Sequence, residues 1–379
     1  MTEVAQTAPD DAPSAGTAPP PPGAGGPLPW REIVQFALLG VLGLLVLVLV
    51  DVSRYGGSNP VSLIQPGTLG PSTERIAEDF PDIEQPEATG LDGQQYYAIA
   101  ADPTDLEAAA EHLDWPRYRL QRPMLPWTAA LVSGGSSGLP LVWALFAVGT
   151  AAAFGGALAS GALSTMWRGP AWVAAVFPLL PGAYWSLRVT VSDAMALALA
   201  LGAIALAARS RHLPAVALGV LAVLAKEPAI LLLAGWALHR RTRRDALLVA
   251  VPAGVIVAWM AVLAATLPPD PDRAQDIAAP FVGLVQAFTD VWSQGYELVG
   301  MACTLGGLAL GIAALVVRRL RHPLGWAIAI QLAFVLVMGV NPTSVNFGAT
   351  RMAMPVMMLS IIALATPVAV RPDAPARTN

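Results

Sequence analysis

The chain has 379 residues, of which 55% are hydrophobic and only 13% charged. A water-soluble protein carries charge on about a quarter of its residues, so the composition excludes an ordinary soluble enzyme and implies segments with no aqueous face. The formal net charge is −4 and no basic stripe is interleaved with aromatics, which argues against a nucleic-acid partner. Cys303 is the single cysteine, so neither an intramolecular disulfide nor a cysteine metal cage can form.

Residues 1–30 are rich in Pro, Ala, Gly and Thr and nearly devoid of large apolar side chains. Such a segment cannot bury enough surface to offset its ordering entropy and reads as a disordered cytoplasmic tail. It lacks the basic start of a cleaved signal peptide, so the first apolar run, 33–50, reads as a retained span. Apolar stretches recur near 32–51, 139–162, 170–187, 192–208, 213–225, 228–238, 246–267, 296–317, 323–340 and 352–370. They predict an all-α polytopic membrane protein with about ten transmembrane helices over 31–371 and a short cytoplasmic tail at 372–379. The pair 213–225 and 228–238 is short for full crossings and meets at Lys226-Glu227-Pro228, as in a hairpin.

Charge sets the orientation. Arg31, Arg168, Arg209, Arg211, the 240–244 cluster, Arg318, Arg319, Arg321, Arg371 and Arg377 fall on one side of this arrangement, and most acids fall on the other. The positive-inside rule then places both termini in the cytoplasm of a cell (plasma) membrane and the long 52–138 loop outside.

Within that loop, 53–89 reads as irregular chain with one short helix after Ser72. A helix starts at Asp92, with Gln95 three residues on, and a second opens at Thr104-Asp105-Leu106-Glu107 with a capping box. The apolar run 123–132 is too short to span and is expected at the membrane surface, with Arg119 and Arg122 at its start. A further external segment, within 268–295, places Ile277, Phe281, Leu284, Phe288, Val291 and Trp292 on one helical face and reads as an interfacial helix.

Asp92 has two readings: a general base at the membrane interface, or an N-cap carboxylate serving backbone N–H groups. Lys226 is the chain's only lysine; with Glu227 it is either a functional pair between two apolar helices or a local ion pair in a turn. Arg351 begins the last span, where a guanidinium suits a phosphate or snorkels to lipid head groups. Asp193 either caps its span or joins a site. No Walker loop, His-x-x-x-His pair or G-x-S-x-G elbow is present, and the histidines (His112, His212, His239, His322) are scattered.

These residues together resemble the GT-C superfamily of membrane glycosyltransferases, which includes protein O-mannosyltransferases and GPI-type mannosyltransferases. The resemblance runs through Gly90-Leu91-Asp92-Gly93-Gln94-Gln95-Tyr96-Tyr97, Tyr118-Arg119-Leu120-Gln121-Arg122-Pro123, Phe177-Pro178, Ser192-Asp193-Ala194, Ala225-Lys226-Glu227-Pro228 and Thr350-Arg351-Met352-Ala353-Met354-Pro355. It covers roughly 30–370 in short, degenerate motifs and is silent on the acceptor. It implies inverting transfer of a sugar from a polyprenyl-phosphate donor, with Asp92 as the catalytic acid of the first loop. Donor-phosphate contacts would fall on Arg351, Lys226, Arg119 and Arg122, and substrate contacts on Gln94, Tyr96, Glu227 and Asp193. Many members pair two adjacent acids in this loop, sometimes with a divalent cation. Here glycine follows Asp92, so no paired-acid motif supports a metal unless Asp102 or Asp114 folds back beside it.

Two other classes compete: a transporter or flippase of a lipid-linked or anionic solute with Lys226-Glu227 in its path, and a scaffold that holds a partner through the acidic loop. No convincing internal repeat supports transport.

Overall fold

The computed structural model describes residues 27–271 and 276–367. Most of the N-terminal tail, the C-terminal tail and the start of the second external segment lie outside these residues.

Among the described residues the chain is helical, with no strand. Helix α1 (Trp30–Tyr55) runs to the long loop. The loop carries α2 (Thr73–Asp79), α3 (Asp92–Ala101), α4 (Leu106–Glu111), α5 (Pro116–Leu120) and α6 (Met124–Val132). Helix α7 (Leu139–Met166) returns, followed by α8 (Val173–Leu179), α9 (Pro181–Arg188), α10 (Asp193–Ala208), α11 (His212–Ala225), α12 (Ala229–Arg240) and α13 (Arg243–Thr266). A second loop holds α14 (Val282–Gln286), and the chain ends with α15 (Leu298–Arg318), α16 (Gly325–Val337), α17 (Val340–Ser344) and α18 (Asn346–Ala365).

Among the described residues each of the ten expected apolar stretches contains helix, but only α1, α7, α13, α15 and α18 are long and apolar enough to cross a membrane. The 170–187 stretch is not one helix. It breaks at Leu180-Pro181, because proline cannot donate to the preceding turn. Helix α10 has 16 residues, α11 has 14, α12 has 12 and α16 has 13. At 1.5 Å per residue these are shorter than a ~30 Å hydrocarbon core. The expected short hairpin is present as α11 and α12, turning at Lys226-Glu227-Pro228.

Close helix contacts use residues without side-chain bulk. A methyl group added to Gly235 on α12 would lie 2.3 Å from the Ala327 Cα on α16, so these two helices touch backbone to backbone. Glycine at 93 has a similar cause: a Cβ there would lie 2.4 Å from the Val189 carbonyl oxygen. The residue after Asp92 is glycine because α3 docks its first turn on the chain leading into α10.

The loop is stitched to the bundle by polar contacts. The Tyr97 hydroxyl donates to Asp79 Oδ2 (2.7 Å) and accepts from the Gly138 amide (2.7 Å). The Asp270 carboxylate accepts from the Arg117 and Tyr118 amides at 2.9 and 3.0 Å, and Trp259 Nε1 donates to the Leu120 carbonyl at 3.0 Å. These bonds seat α5 on the end of α13 and so fix where Arg119 and Arg122 stand.

Two loop expectations change. Asp105, rather than a Thr104 capping box, caps α4, accepting from the Ala108 amide at 3.0 Å. The second external segment is not one amphipathic helix. Pro280 precedes Phe281, which takes a left-handed φ of 69°, and helix begins only at Val282. Ile277, Phe281 and Phe288 stay exposed while Trp292 is buried. Residues 278–281 of this segment instead bond to the end of α16, where the Ala278 and Phe281 amides donate to Val337 and Leu336 carbonyls at 2.8 and 2.7 Å.

Candidate functional site

Four cations and four carboxylates meet where α3 and α5 cover the loop ends of α10, α12 and α18. Arg119 lies between two acids: Nη1 donates to Asp92 Oδ1 at 2.8 Å, while Nε and Nη2 donate to the two Asp114 oxygens at 2.8 Å each. On the other side of Asp92, Arg351 Nη2 and Nη1 reach Oδ2 at 3.2 and 3.3 Å. Arg351 Nη1 also reaches Asp193 Oδ2 at 3.3 Å, and the Lys226 ammonium pairs with Asp193 Oδ1. Arg122 Nε donates to both Glu227 oxygens at 3.0 and 3.2 Å, and its guanidinium lies 4.2 Å from the Tyr118 ring centroid.

Local structure explains these positions. Helix α3 is capped at Leu91 with no side-chain bond, so the Asp92 carboxylate is not spent on its own backbone. Asp193 opens α10 and makes no cap bond either. Lys226 has extended backbone between α11 and α12, so it and Glu227 diverge to different partners instead of pairing with each other. Arg351 turns inward, its side chain only 10% exposed, rather than out to lipid, and its Nε is anchored on the Phe347 carbonyl at 2.9 Å.

Burial by itself would raise the Asp92 pKa, but the Arg119 and Arg351 guanidiniums and the Lys226 ammonium outweigh it and hold the carboxyl below the usual range. Asp114 is also lowered: burial opposes ionisation, and the bidentate Arg119 overrides it. Burial, helped by the Asp193 and Asp92 charges, pushes the Tyr96 hydroxyl up to about 12 against the pull of Arg122. Ser192 Oγ donates to the Ala225 carbonyl at 2.7 Å, so across the 2.8 Å contact Tyr96 is the donor.

A cavity of about 580 Å³ opens beside this cluster. Asp92, Arg119, Arg122, Asp193, Lys226 and Arg351 line one part of it. Leu197, Leu232, Phe334, Met338, Met352 and Pro355 line the part that descends between α10, α12, α16 and α18.

Of the residues the sequence singled out, six therefore share one cavity. Glu227 stands behind Arg122 as its counter-ion and is not on the cavity wall. Tyr96 lies beneath the wall on Ser192. Gln94 does not join: it is 1% exposed, and Nε2 donates to the Thr89 carbonyl at 2.7 Å, so it braces the loop rather than facing the cavity. Asp114 does fold back toward Asp92, but the Arg119 guanidinium occupies the space between them. Asp102 lies instead near Arg75, at 3.8 Å. Both facing acids are thus spent on Arg119, and this donor set does not fit a resident divalent cation. Among the described residues no group of three or more His, Cys, Asp or Glu is arranged for a metal. Trp115 and Tyr118 were not expected in the site; the aromatic-arginine alternation of Trp115-Pro116-Arg117-Tyr118-Arg119 was the available signal, since Arg119 lies 5.7 and 5.5 Å from the two ring centroids.

No family model matches the chain, and neither a curated protein nor a solved structure matches it.

Proposed function

We propose that the chain is a polytopic membrane glycosyltransferase of the GT-C kind. On this reading it moves a sugar with inversion from a polyprenyl-phosphate donor to an acceptor hydroxyl at the outer face of the cell membrane. The observation that carries this reading is the cavity itself, where four cations and three carboxylates, Asp92, Asp193 and Asp276, adjoin an apolar wall between helices. That pairing of chemistries suits an anionic head group on a hydrocarbon chain. The basic clusters at 209–211, 240–244 and 318–321 lie at the opposite end of the helices from the loop; the positive-inside rule supports a cytoplasmic side there, and the proposal puts both termini on that side with ten crossings, the shorter helices included.

The reaction balances without further reagents. The acceptor oxygen attacks the anomeric carbon, its proton passes to Asp92, and the sugar–phosphate C–O bond breaks with its electron pair leaving on the lipid phosphate. Arg351 and Lys226, with Arg119 and Arg122, offset the charge that develops on the leaving phosphate. Binding also tunes the base. A carboxylate held this far down is a weak proton acceptor, but a phosphate that engages Arg351 and Lys226 draws their charge away from Asp92 and raises its pKa.

The test is a membrane assay with labelled polyprenyl-phosphate sugars, comparing the wild type with Asp92→Asn at matched expression and insertion. Transfer retained by the variant would remove Asp92 as the base. Flux of the labelled lipid across proteoliposomes with no covalent product would replace the transferase with the transport reading.

A further inference from the structure

Below its charged rim, the described wall of the cavity carries one polar side chain. Gln331, at the middle of α16, lines the cavity among Leu232, Phe334 and Pro355. It is 2% exposed, and its amide nitrogen has no hydrogen-bond partner. Its depth follows from packing. The neighbouring Leu332 and the α18 residue Val356 both meet Gly311, so they share a level. Val356 is five residues past Arg351 and Gln331 is one residue deeper than Leu332, which puts Gln331 roughly 9 Å below the Arg351 turn at 1.5 Å per residue.

A buried amide between apolar helices destabilises the fold unless something bonds it. Hydrocarbon cannot do so, so the lipid chain of the donor rests on the part of the apolar wall away from Gln331. A phosphate only accepts, and the cations at the rim hold it higher. A neutral hydroxyl both donates and accepts, so it satisfies a carboxamide in either orientation. Once the reach of the Arg351 and Gln331 side chains is allowed for, this depth is on the scale of a phosphate with a hexopyranose attached to it.

We infer that the cavity floor at Gln331 is a hydroxyl-recognition subsite for the sugar of the donor, so that the donor lies with its phosphate at Arg351 and its sugar toward α16. This rests on the proposed lipid-phosphate reading of the rim. It adds the donor's orientation, and it puts sugar selectivity on α16 rather than on the loop.

The test uses the full chain in nanodiscs and Gln331→Met, which keeps the shape of the side chain without its hydrogen bonds. Binding is followed by intrinsic tryptophan fluorescence, Trp115 being on the cavity wall. The probes are farnesyl phosphate and farnesyl phosphates esterified with mannose, glucose or arabinose. The expected result is that Gln331→Met loses about tenfold in affinity for at least one of the sugar esters and keeps the wild-type affinity for farnesyl phosphate. Its ligand-free unfolding temperature should be equal or higher, because an unpartnered amide has been removed. Equal losses for both kinds of probe, or no loss for any, would overturn the subsite. Wild-type protein that binds neither kind would overturn the reading of the rim, and the subsite with it.

Discussion

Two cavities of nearly equal size lie at the loop end of the helices, about 580 Å³ beside Asp92 and about 570 Å³ beside Arg188. Volume does not separate them; the way their ions are paired does. In the second cavity, Arg188 is closed by its own carboxylate, Asp51, and by the Ser62 carbonyl at 2.7 Å. Its other charges, Glu84 and Glu87, sit on exposed loop chain. In the first cavity, Asp92 is shared by Arg119 and Arg351, and Asp193 by Arg351 and Lys226. A one-to-one buried pair resists opening, because removing either member strands the other. Shared carboxylates let a cation take up a phosphate while the acid it leaves keeps a second partner. On the proposed reading the shared acids of the Asp92 cavity serve exchange, whereas the one-to-one pairs, Arg122–Glu227 there and Arg188–Asp51 in the second cavity, hold their elements closed.

The largest effect expected from this contrast is at Asp92. Asp92→Asn should lower transfer by about 10²–10⁴-fold, the usual contribution of a general base, with membrane insertion unchanged; initial rates with a labelled donor measure it. Arg351→Gln comes next, because it removes the cation common to both shared acids. A loss of about 3 kcal/mol, the usual effect of removing one positioned donor that stabilises developing negative charge, corresponds to kcat/KM down by more than a hundredfold. Arg351→Lys should recover little of this, since a single ammonium cannot bridge Asp92 and Asp193 as a guanidinium does.

The pH profile sharpens the same point. Asp92 is held below the ordinary carboxylate range, so its ionised form favours the fold above the unfolded value of about 4 and is lost only as pH falls through the depressed value. The acid limb of kcat/KM, which reports free enzyme, should accordingly lie below pH 4. The acid limb of kcat should lie higher, because bound phosphate engages the cations that depress Asp92. Coincident limbs would mean that the phosphate does not compete for those cations. Smallest of all, Glu84→Gln and Glu87→Gln at the second cavity should change both activity and stability by no more than about 0.5 kcal/mol. An effect as large as that of Arg351→Gln would break the contrast between the cavities.

Much of the site was legible in the chain because chemistry is scarce there. A single lysine, an Arg opening an apolar helix and an Asp at a helix start stand out against 55% hydrophobic residues. Their partners were less legible. Asp92 and Asp193 each sit where a capping carboxylate would, and sequence spacing cannot distinguish a side chain that bonds its own backbone from one that reaches an arginine 259 or 158 positions away. Lys226 and Glu227 are adjacent, so a mutual pair is the local expectation, yet the extended turn sends them to different helices. Gln94, inside the same motif as Asp92, falls on the other side of α3 and braces the loop.

The sequence by itself determined that the chain is helical and apolar, where most of its apolar runs lie, and that its candidate chemistry falls in one long loop and at helix ends. Those features follow from hydrophobic run length, proline and the distribution of charge, all of which are local. Only the tertiary structure decided that Arg119 stands between Asp92 and Asp114, that Arg351 faces inward and that Gln331 is left unpartnered on the cavity floor. These outcomes depend on which helices pack together, and that is set by close contacts such as Gly93 on Val189 and Gly235 on Ala327, between residues far apart in the chain.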